Sequence, residues 1–121
     1  MRRLFALAVM LAGPAAAGDL KTCAHVSGEQ PFGDCVRKLD ARDLAAMRAL
    51  GAKIKQQGEG AAFAKVYDAA DRAWLAYRDR ECEAKTFESR TGSGFGSIFA
   101  ACLVEMNERR LVELKERADS P

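Results

Sequence analysis

The residue types that most enzymes use for covalent or acid–base catalysis are scarce in this sequence. His25 is the only histidine among 121 residues, so a Ser-His-Asp or Cys-His arrangement would have to include it. It follows Cys23 by two residues, and the shortest separation between cysteines is twelve, whereas zinc sites use close pairs such as C-x-x-C. We therefore predict an exposed His25 in a turn, no metal site and no cofactor.

Carboxylates are the remaining candidates, because a pair of them could hydrolyse a glycosidic bond. They occur at three- or four-residue spacing among lysines and arginines, as in Asp68/Asp71, Asp79/Glu83 and Glu105/Glu108. That spacing is typical of a solvated helix face with weak ion pairs. The glycine-rich segment GSGFGS lacks the Gly-Lys-Ser/Thr ending of a phosphate-binding loop. We predict a non-enzymatic protein without catalytic residues.

The first seventeen residues have the layout of a secretory signal peptide. Arg2 and Arg3 precede an apolar stretch that ends in three alanines. A Gly-Pro pair interrupts this stretch, which also falls short of the ~20 residues needed to span a bilayer. We predict cleavage after Ala17, giving a periplasmic or secreted protein that does not insert into the membrane.

Cleavage would also change the charge balance. It would remove two of the 19 basic residues and leave 17 of them against 17 acidic ones. A neutral chain has no summed field that attracts nucleic acid or an anionic membrane surface. The sequence therefore predicts neither of these partners.

Apolar residues at helical spacing predict three helices after the signal peptide. We expect an irregular arm over residues 18–33 and a helical domain over residues 34–121, because periodicity begins only at Cys35. The predicted helices cover 35–57, 61–88 and 98–118, with Asp34 and Ser97 as N-caps of the first and third. The predicted buried stripe of the second helix comprises Phe63, Val66, Tyr67, Ala70, Trp74, Tyr77 and Ala84. The expected fold is all-α, a small three-helix, disulfide-stapled bundle with a helical hairpin and antiparallel neighbours.

Four cysteines in a short exported chain predict two disulfides, for which three pairings exist. If the second and third helices form a hairpin, Cys82 lies two turns before the loop and Cys102 about one and a half turns after it. Side chains at matched heights on antiparallel helices can come within disulfide distance. The spacing therefore favours Cys82–Cys102, which leaves Cys23–Cys35 to tie the arm to the first helix.

Two arginines, Arg78 and Arg110, lie beside apolar positions of the second and third helices. Each could lay its aliphatic stem on the core and keep its charged head in water. Alternatively, one of them could reach a carboxylate or helix-end carbonyls across the hairpin. Both alternatives predict a structural role.

One longer pattern joins these residues: Trp-x-x-Tyr-Arg-x-x-x-Cys, a Gly/Ser loop, Cys, then Arg-x-x-x-Leu. Its members are Trp74, Tyr77, Arg78, Cys82, Cys102, Arg110 and Leu114. Over residues 63–117 the pattern resembles the LprI-type lysozyme inhibitor family, and Cys23 and Cys35 suit that family's early cysteine pair. The family's Asp-x-x-Leu-Asn-x-x-Tyr stretch is absent after Cys35, with only Asp43-Leu44 in its place. The resemblance implies an exported, disulfide-bonded helical module of the bacterial envelope whose motif residues mainly determine the fold.

Some members of this family are described as lysozyme inhibitors, so the first functional hypothesis is a non-enzymatic protein that binds a lysozyme. Lysozymes act with two carboxylates in a cleft, so an inhibitor needs a protruding element with hydrogen-bond donors. Residues 90–97 are the predicted partner loop, starting at Arg90, with Phe95 as an apolar anchor and Ser93 and Ser97 as donors. The loop could also be a plain helix connection with Phe95 on the core. The alternative function is an interaction or scaffold module that binds another envelope protein through its helix faces.

Overall fold

A computed structural model describes residues 20–120 of the protein. It contains three α-helices, α1 (Glu29–Gln57), α2 (Gly60–Lys85) and α3 (Phe95–Asp119), and no strand among the described residues. Single 3₁₀ turns cover Leu20–Cys23 and Phe87–Ser89. The predicted all-α, three-helix fold is confirmed. The predicted signal peptide, its cleavage site and the first two residues of the predicted arm lie outside the described residues.

Helix α1 begins at Glu29, six residues before the predicted start at Cys35. The sequence did not predict this start because Pro31 was interpreted as part of a loop. Proline is nevertheless tolerated in the first turn of a helix, where the N–H that it lacks would have no intrahelical partner. Gly28 precedes the helix with φ of 93°, a left-handed conformation that favours glycine. The irregular arm therefore ends at Gly28, and its predicted last five residues belong to α1.

The three helices run up, down and up, so that α1 and α3 are parallel to each other. Near their starts the hydroxyl of Ser97 donates to the Glu29 carbonyl at 3.4 Å. Near their ends the Gln57 side-chain amide donates to the Ala118 carbonyl at 2.8 Å. Helix α2 is antiparallel to both, as predicted for neighbours along the chain. The most extensive helix contact joins α1 to α3, and α2 lies at the edge of this pair.

The core consists of three clusters along the bundle. The first lies near the start of α1 and comprises Cys23, Val36, Leu39, Ala100 and Val104. The second lies at the opposite end and comprises Met47, Ile54, Tyr67, Leu114 and Ala118. The third surrounds the α2–α3 disulfide and comprises Cys82, Cys102 and Met106. Trp74 packs against the second and third clusters and so joins them.

The close approach of α2 to α1 depends on Gly51. A Cβ atom at this position would lie 3.1 Å from both the ring and the hydroxyl oxygen of Tyr67. That distance is shorter than an ordinary van der Waals contact, so the missing side chain makes room for the tyrosine.

Both disulfides have the predicted pairing. Cys23 and Cys35 are 5.9 Å apart at their Cα atoms, and Cys82 and Cys102 are 5.7 Å apart. These separations lie within the usual disulfide range. The first bridge ties the 3₁₀ turn at Leu20–Cys23 to α1, and the second ties α2 to α3. In the chain-entropy model, loops of these lengths stabilise the folded state by about 3 kcal/mol each.

The buried face of α2 differs from the predicted stripe. Phe63, Tyr67 and Trp74 face the core as predicted, but Val66 is 67% exposed and Tyr77 is 56% exposed. Ala70 and Ala84 are exposed as well. Val66 and Tyr77 each precede an inward residue by one position, which is a rotation of about 100° around the helix. Because α2 lies at the edge, only one narrow face of it is covered, and the wider predicted stripe is wrong.

Candidate functional site

The connection between α2 and α3 is ordered by its own hydrogen bonds. Helix α2 ends at Lys85 rather than Glu88, and Thr86 follows it as the C-cap residue. The Thr86 hydroxyl and N–H both donate to the Cys82 carbonyl, at 2.6 and 3.0 Å. The Arg90 guanidinium donates to the Phe87 carbonyl at 2.9 Å and stacks 3.7 Å from the centre of the Phe87 ring. This segment is therefore a structured protrusion at one end of the bundle.

The structure divides the predicted partner loop, residues 90–97, into two parts. Arg90 and Ser93 are exposed in the connection. Phe95 and Ser97 instead belong to the first turn of α3, which begins at Phe95 with Gly94 as the preceding residue, so Ser97 is not its N-cap. The Phe95 ring is half-buried and lies 5.8 Å from the Phe99 ring. Phe95 is therefore neither fully exposed at the tip of a loop nor fully buried in the core, and its role as an anchor stays a prediction.

Exposed apolar side chains at this end of the bundle are found at other positions. Phe87 is 54% exposed beneath the Arg90 guanidinium, and Ile98 is exposed in the first turns of α3. Phe87 could have been found from the sequence only by recognising that α2 ends before it.

Arg78, from the family-like motif, sits at the centre of a buried polar cluster that joins all three helices. Its Nη1 donates to Asp40 Oδ1 of α1 and to Asn107 Oδ1 of α3, both at 3.0 Å. The Asn107 amide in turn donates to Asp40 Oδ1 at 2.7 Å. The Nε and Nη2 atoms of Arg78 donate to Asp79, which lies on the same helix, at 3.1 and 2.9 Å. Arg78 thus adopts the second of the two predicted arrangements, a guanidinium paired with a carboxylate across helices.

Asp43 lies beside this cluster, fully buried on α1. Neither of its carboxylate oxygens has a hydrogen-bond partner among the described residues. The pKa of Asp43 is raised to about 6, first of all by burial. The Glu108 and Asp40 carboxylates also raise it, whereas the Asn107 amide and Arg42 lower it. The Asn107 amide favours the charged form of Asp43, although it makes no hydrogen bond of normal geometry with either Asp43 oxygen. Because this carboxyl group is enclosed, its protonation is coupled to the stability of the fold, and it is not accessible to a substrate.

Asp40, Asp43 and Asn107 were not identified as site residues from the sequence, although a signal for them exists. Asp43 lies four residues from both Leu39 and Met47, on the apolar stripe of α1. Asn107 directly follows Met106 and precedes Leu114 by seven residues. A lone polar residue inside an apolar stripe needs a partner in the folded protein. For Asn107 that partner is Arg78.

Arg110 adopts the other predicted arrangement. Its guanidinium carbon lies 5.5 Å from the centre of the Trp74 ring, with the side chain largely buried. Its Nη1 donates to Glu113 of the same helix at 3.2 Å, and its buried Nε has no hydrogen-bond partner. The side chain therefore packs on the tryptophan, as that arrangement predicts, but its guanidinium is also largely enclosed, and only its ion pair with Glu113 reaches the surface. Leu114 is fully buried below it, whereas Tyr77 of the same motif points away from the core.

A groove of about 670 Å³ lies at the opposite end of the bundle from the α2–α3 connection. Ile54 and Phe63 form part of its lining. Helix α3 contributes two arginines and two glutamates, Arg110, Arg117, Glu113 and Glu116. Because these charges balance, the groove favours neither an anionic nor a cationic ligand.

His25 is exposed beside the first disulfide. Within residues 20–120, no group of three His, Cys, Asp or Glu side chains is arranged to hold a metal ion. None of the helices formed by these same residues is both long enough and apolar enough to cross a membrane.

The chain is similar in sequence to known proteins. The family described as "Lysozyme inhibitor LprI" matches residues 20–114. An uncharacterized protein of Rhizobium meliloti (strain 1021) is 35% identical over 106 residues, which are 84% of this chain and 73% of the relative. No solved structure matched the chain.

Proposed function

Because this chain belongs to the LprI lysozyme inhibitor family, we propose that it is an exported, non-enzymatic protein that binds and inhibits a lysozyme. The observation that carries this proposal is the family match over residues 20–114. Two disulfides that bond all four cysteines suit the periplasm or the exterior of the cell, where thiols are oxidised. The signal-peptide layout of the first seventeen residues, cleaved after Ala17, supports the same location.

The inhibitory surface in this proposal is the α2–α3 connection. It projects at one end of the bundle and is held in place by its own turns, which lowers the entropy lost on binding. Arg90 presents a cation that suits the carboxylates of a lysozyme cleft. Phe87 below it adds exposed apolar area, and Ser93 adds a hydroxyl. Arg90, Ser93 and Phe87 are thus the proposed contacts.

The test is to titrate the purified mature protein into lysozymes of the chicken, goose and invertebrate types acting on cell-wall substrate. Arg90→Ala should weaken inhibition about tenfold or more, since interface arginines are often hot spots worth about 2 kcal/mol. Arg109→Ala removes an equally exposed arginine from α3 and serves as the control. Equal inhibition by the two variants would show that the lysozyme does not contact Arg90 in the α2–α3 connection.

A second candidate function is an interaction module for another envelope protein. The observation that favours it is the exposed position of Val66 and Tyr77 on α2, where a partner could bury them. The same titration separates the two functions. A folded protein that inhibits none of the three lysozyme types at tens of micromolar would remove the inhibitor function and leave this one.

A further inference from the structure

Arg90 is the one basic residue in the connection between α2 and α3, residues 86–94. Lys85 is the last residue of α2, and the next basic residue, Arg109, lies in the second half of α3. Arg90 is exposed, and the four residues that follow it, Thr-Gly-Ser-Gly, are small. A partner that reaches this connection therefore meets a single positive charge without bulky neighbours along the chain.

The Arg90 guanidinium is held by Phe87 in two ways. Its central carbon lies 3.7 Å from the centre of the Phe87 ring. Its Nη1 donates to the Phe87 carbonyl at 2.9 Å, and the Arg90 backbone N–H donates to the same carbonyl at 3.2 Å. A ring contact and a hydrogen bond together restrict the rotamers of an otherwise flexible side chain. The guanidinium is therefore oriented before a partner binds.

The position of Phe87 is fixed by the end of α2. The preceding residue, Thr86, is buried, and its hydroxyl donates to the Cys82 carbonyl at 2.6 Å. Cys82 is in turn bonded to Cys102 of α3. The Ser89 N–H donates to the Thr86 carbonyl at 2.9 Å and closes the turn that contains Phe87. The ring therefore projects from a backbone that hydrogen bonds and a disulfide hold in place.

The hydrogen bond to Phe87 uses Nη1 and leaves another edge of the Arg90 guanidinium available. Within residues 20–120, Nε and Nη2 of Arg90 donate to no other group, and the neighbouring Glu88 forms no ion pair with them. The N–H groups on Nε and Nη2 are parallel and match the two oxygens of one carboxylate. A lysine ammonium lacks such paired donors. The available edge therefore suits a carboxylate that approaches from the side.

We propose that the Nε–Nη2 edge of Arg90 binds one carboxylate of the partner, and that Phe87 is the positioning residue for this contact. This role rests on the proposed function, in which the connection binds a lysozyme cleft that contains two carboxylates. Phe87 then acts through the guanidinium above its ring, and its exposed apolar area contributes little by itself. Ordering a free arginine on binding costs about fivefold in affinity, and the ring removes this cost in advance.

The first test compares conservative variants in the titration of the lysozyme that the wild type inhibits. Arg90→Lys keeps the charge but removes the paired donors, so inhibition should weaken about fivefold or more. Phe87→Leu keeps an apolar side chain but removes the ring and should weaken inhibition about fivefold, whereas Phe87→Tyr should not. Phe87 is 54% exposed, so both of its variants should retain the fold. In the Arg90→Ala background, Phe87→Leu should cause no further loss, because its effect depends on Arg90.

The second test identifies the carboxylate by calorimetric binding, which does not require an active lysozyme. Each of the two cleft carboxylates of that lysozyme is replaced in turn by its amide. One replacement should weaken binding of the wild-type inhibitor about tenfold or more and should not weaken binding of Arg90→Ala further. Arg109→Ala is the matched control and should lose as much affinity as the wild type does.

The contact between Phe87 and Arg90 is also measurable without a partner. In NMR spectra of the free mature protein, the ring current of Phe87 should move the Arg90 side-chain protons upfield, and Phe87→Leu should abolish this shift. Absence of the shift, equal inhibition by Phe87→Tyr and Phe87→Leu, or additive losses in the double variant would overturn the positioning role. Full inhibition by Arg90→Lys, or unchanged binding to both amide lysozymes, would overturn the carboxylate contact and leave the proposed function standing. A protein that inhibits no lysozyme would overturn both the proposed function and this contact.

Discussion

The pH dependence of stability tests the account of Asp43 beside the buried polar cluster, because burial disfavours the charged form of this carboxyl group. The carboxyl group is fully buried and has no hydrogen-bond partner. Burial raises its pKa from 3.8 to about 6. Near pH 7 the folded protein therefore contains a carboxylate that would be better solvated in the unfolded chain. We expect the wild type to become more stable as the pH falls from 7.5 to 5.

The sign and size of this effect follow from linkage. The folded pKa is above the unfolded one, so the stabilisation from protonating Asp43 is fully present below pH 3.8 and is lost as the pH rises through about 6. Each pH unit between these values is worth about 1.4 kcal/mol. Lowering the pH from 7.5 to 5 should thus raise the free energy of unfolding by about 1.4 kcal/mol from this group.

The measurement is urea unfolding at several pH values between 5 and 7.5, with the disulfides intact. Asp43→Asn keeps the size of the side chain and removes its charge, so this part of the pH dependence should disappear. Asp34→Asn is the matched control, because Asp34 is an exposed carboxylate on the same helix. Equal pH dependence in the wild type and Asp43→Asn would show that Asp43 does not titrate in this range and would refute the reasoning.

Two further substitutions test other parts of the fold. Arg78→Ala leaves Asp40 and Asn107 without their guanidinium donor and should lower the free energy of unfolding by about 3–5 kcal/mol in denaturant titrations. Arg110→Ala should cost less, because the ion pair that it breaks is with the exposed Glu113. Replacing Cys82 and Cys102 together by serine should lower the melting temperature and cost about 2–5 kcal/mol; no loss of stability would show that the α2–α3 contacts hold without the bridge.

The parts of the fold that sequence reasoning predicted well depend on strong local patterns. Apolar residues such as Leu39, Met47 and Ile54 recur with the helical period and predicted α1 and its buried face. The glycines of residues 90–97 indicated where α2 and α3 meet, and the resulting hairpin predicted the Cys82–Cys102 bridge. These features are local because each needs only neighbouring residues and one turn.

The parts that were missed depend on how the helices face one another. The stripe on α2 was predicted too wide, since Val66 and Tyr77 are apolar yet lie outside the narrow contact with the other helices. The last residues of the predicted partner loop belong to α3, which begins at Phe95, and the Phe95 ring contacts the Phe99 ring one turn later. Asp43 was missed because a single acidic residue hardly changes an apolar pattern, although its burial raises its own pKa to about 6.

The residues of the family-like motif divide into two groups in the structure. Arg78 and Cys82 face inward and connect α2 to its neighbours through hydrogen bonds and a disulfide. Trp74 joins two core clusters. Tyr77 lies among these residues in the sequence but projects from the other side of the helix, so it contributes little to the core. The motif therefore combines residues that hold α2 to its neighbours with one exposed aromatic side chain, and only the former are expected to lower the stability strongly when they are replaced by alanine.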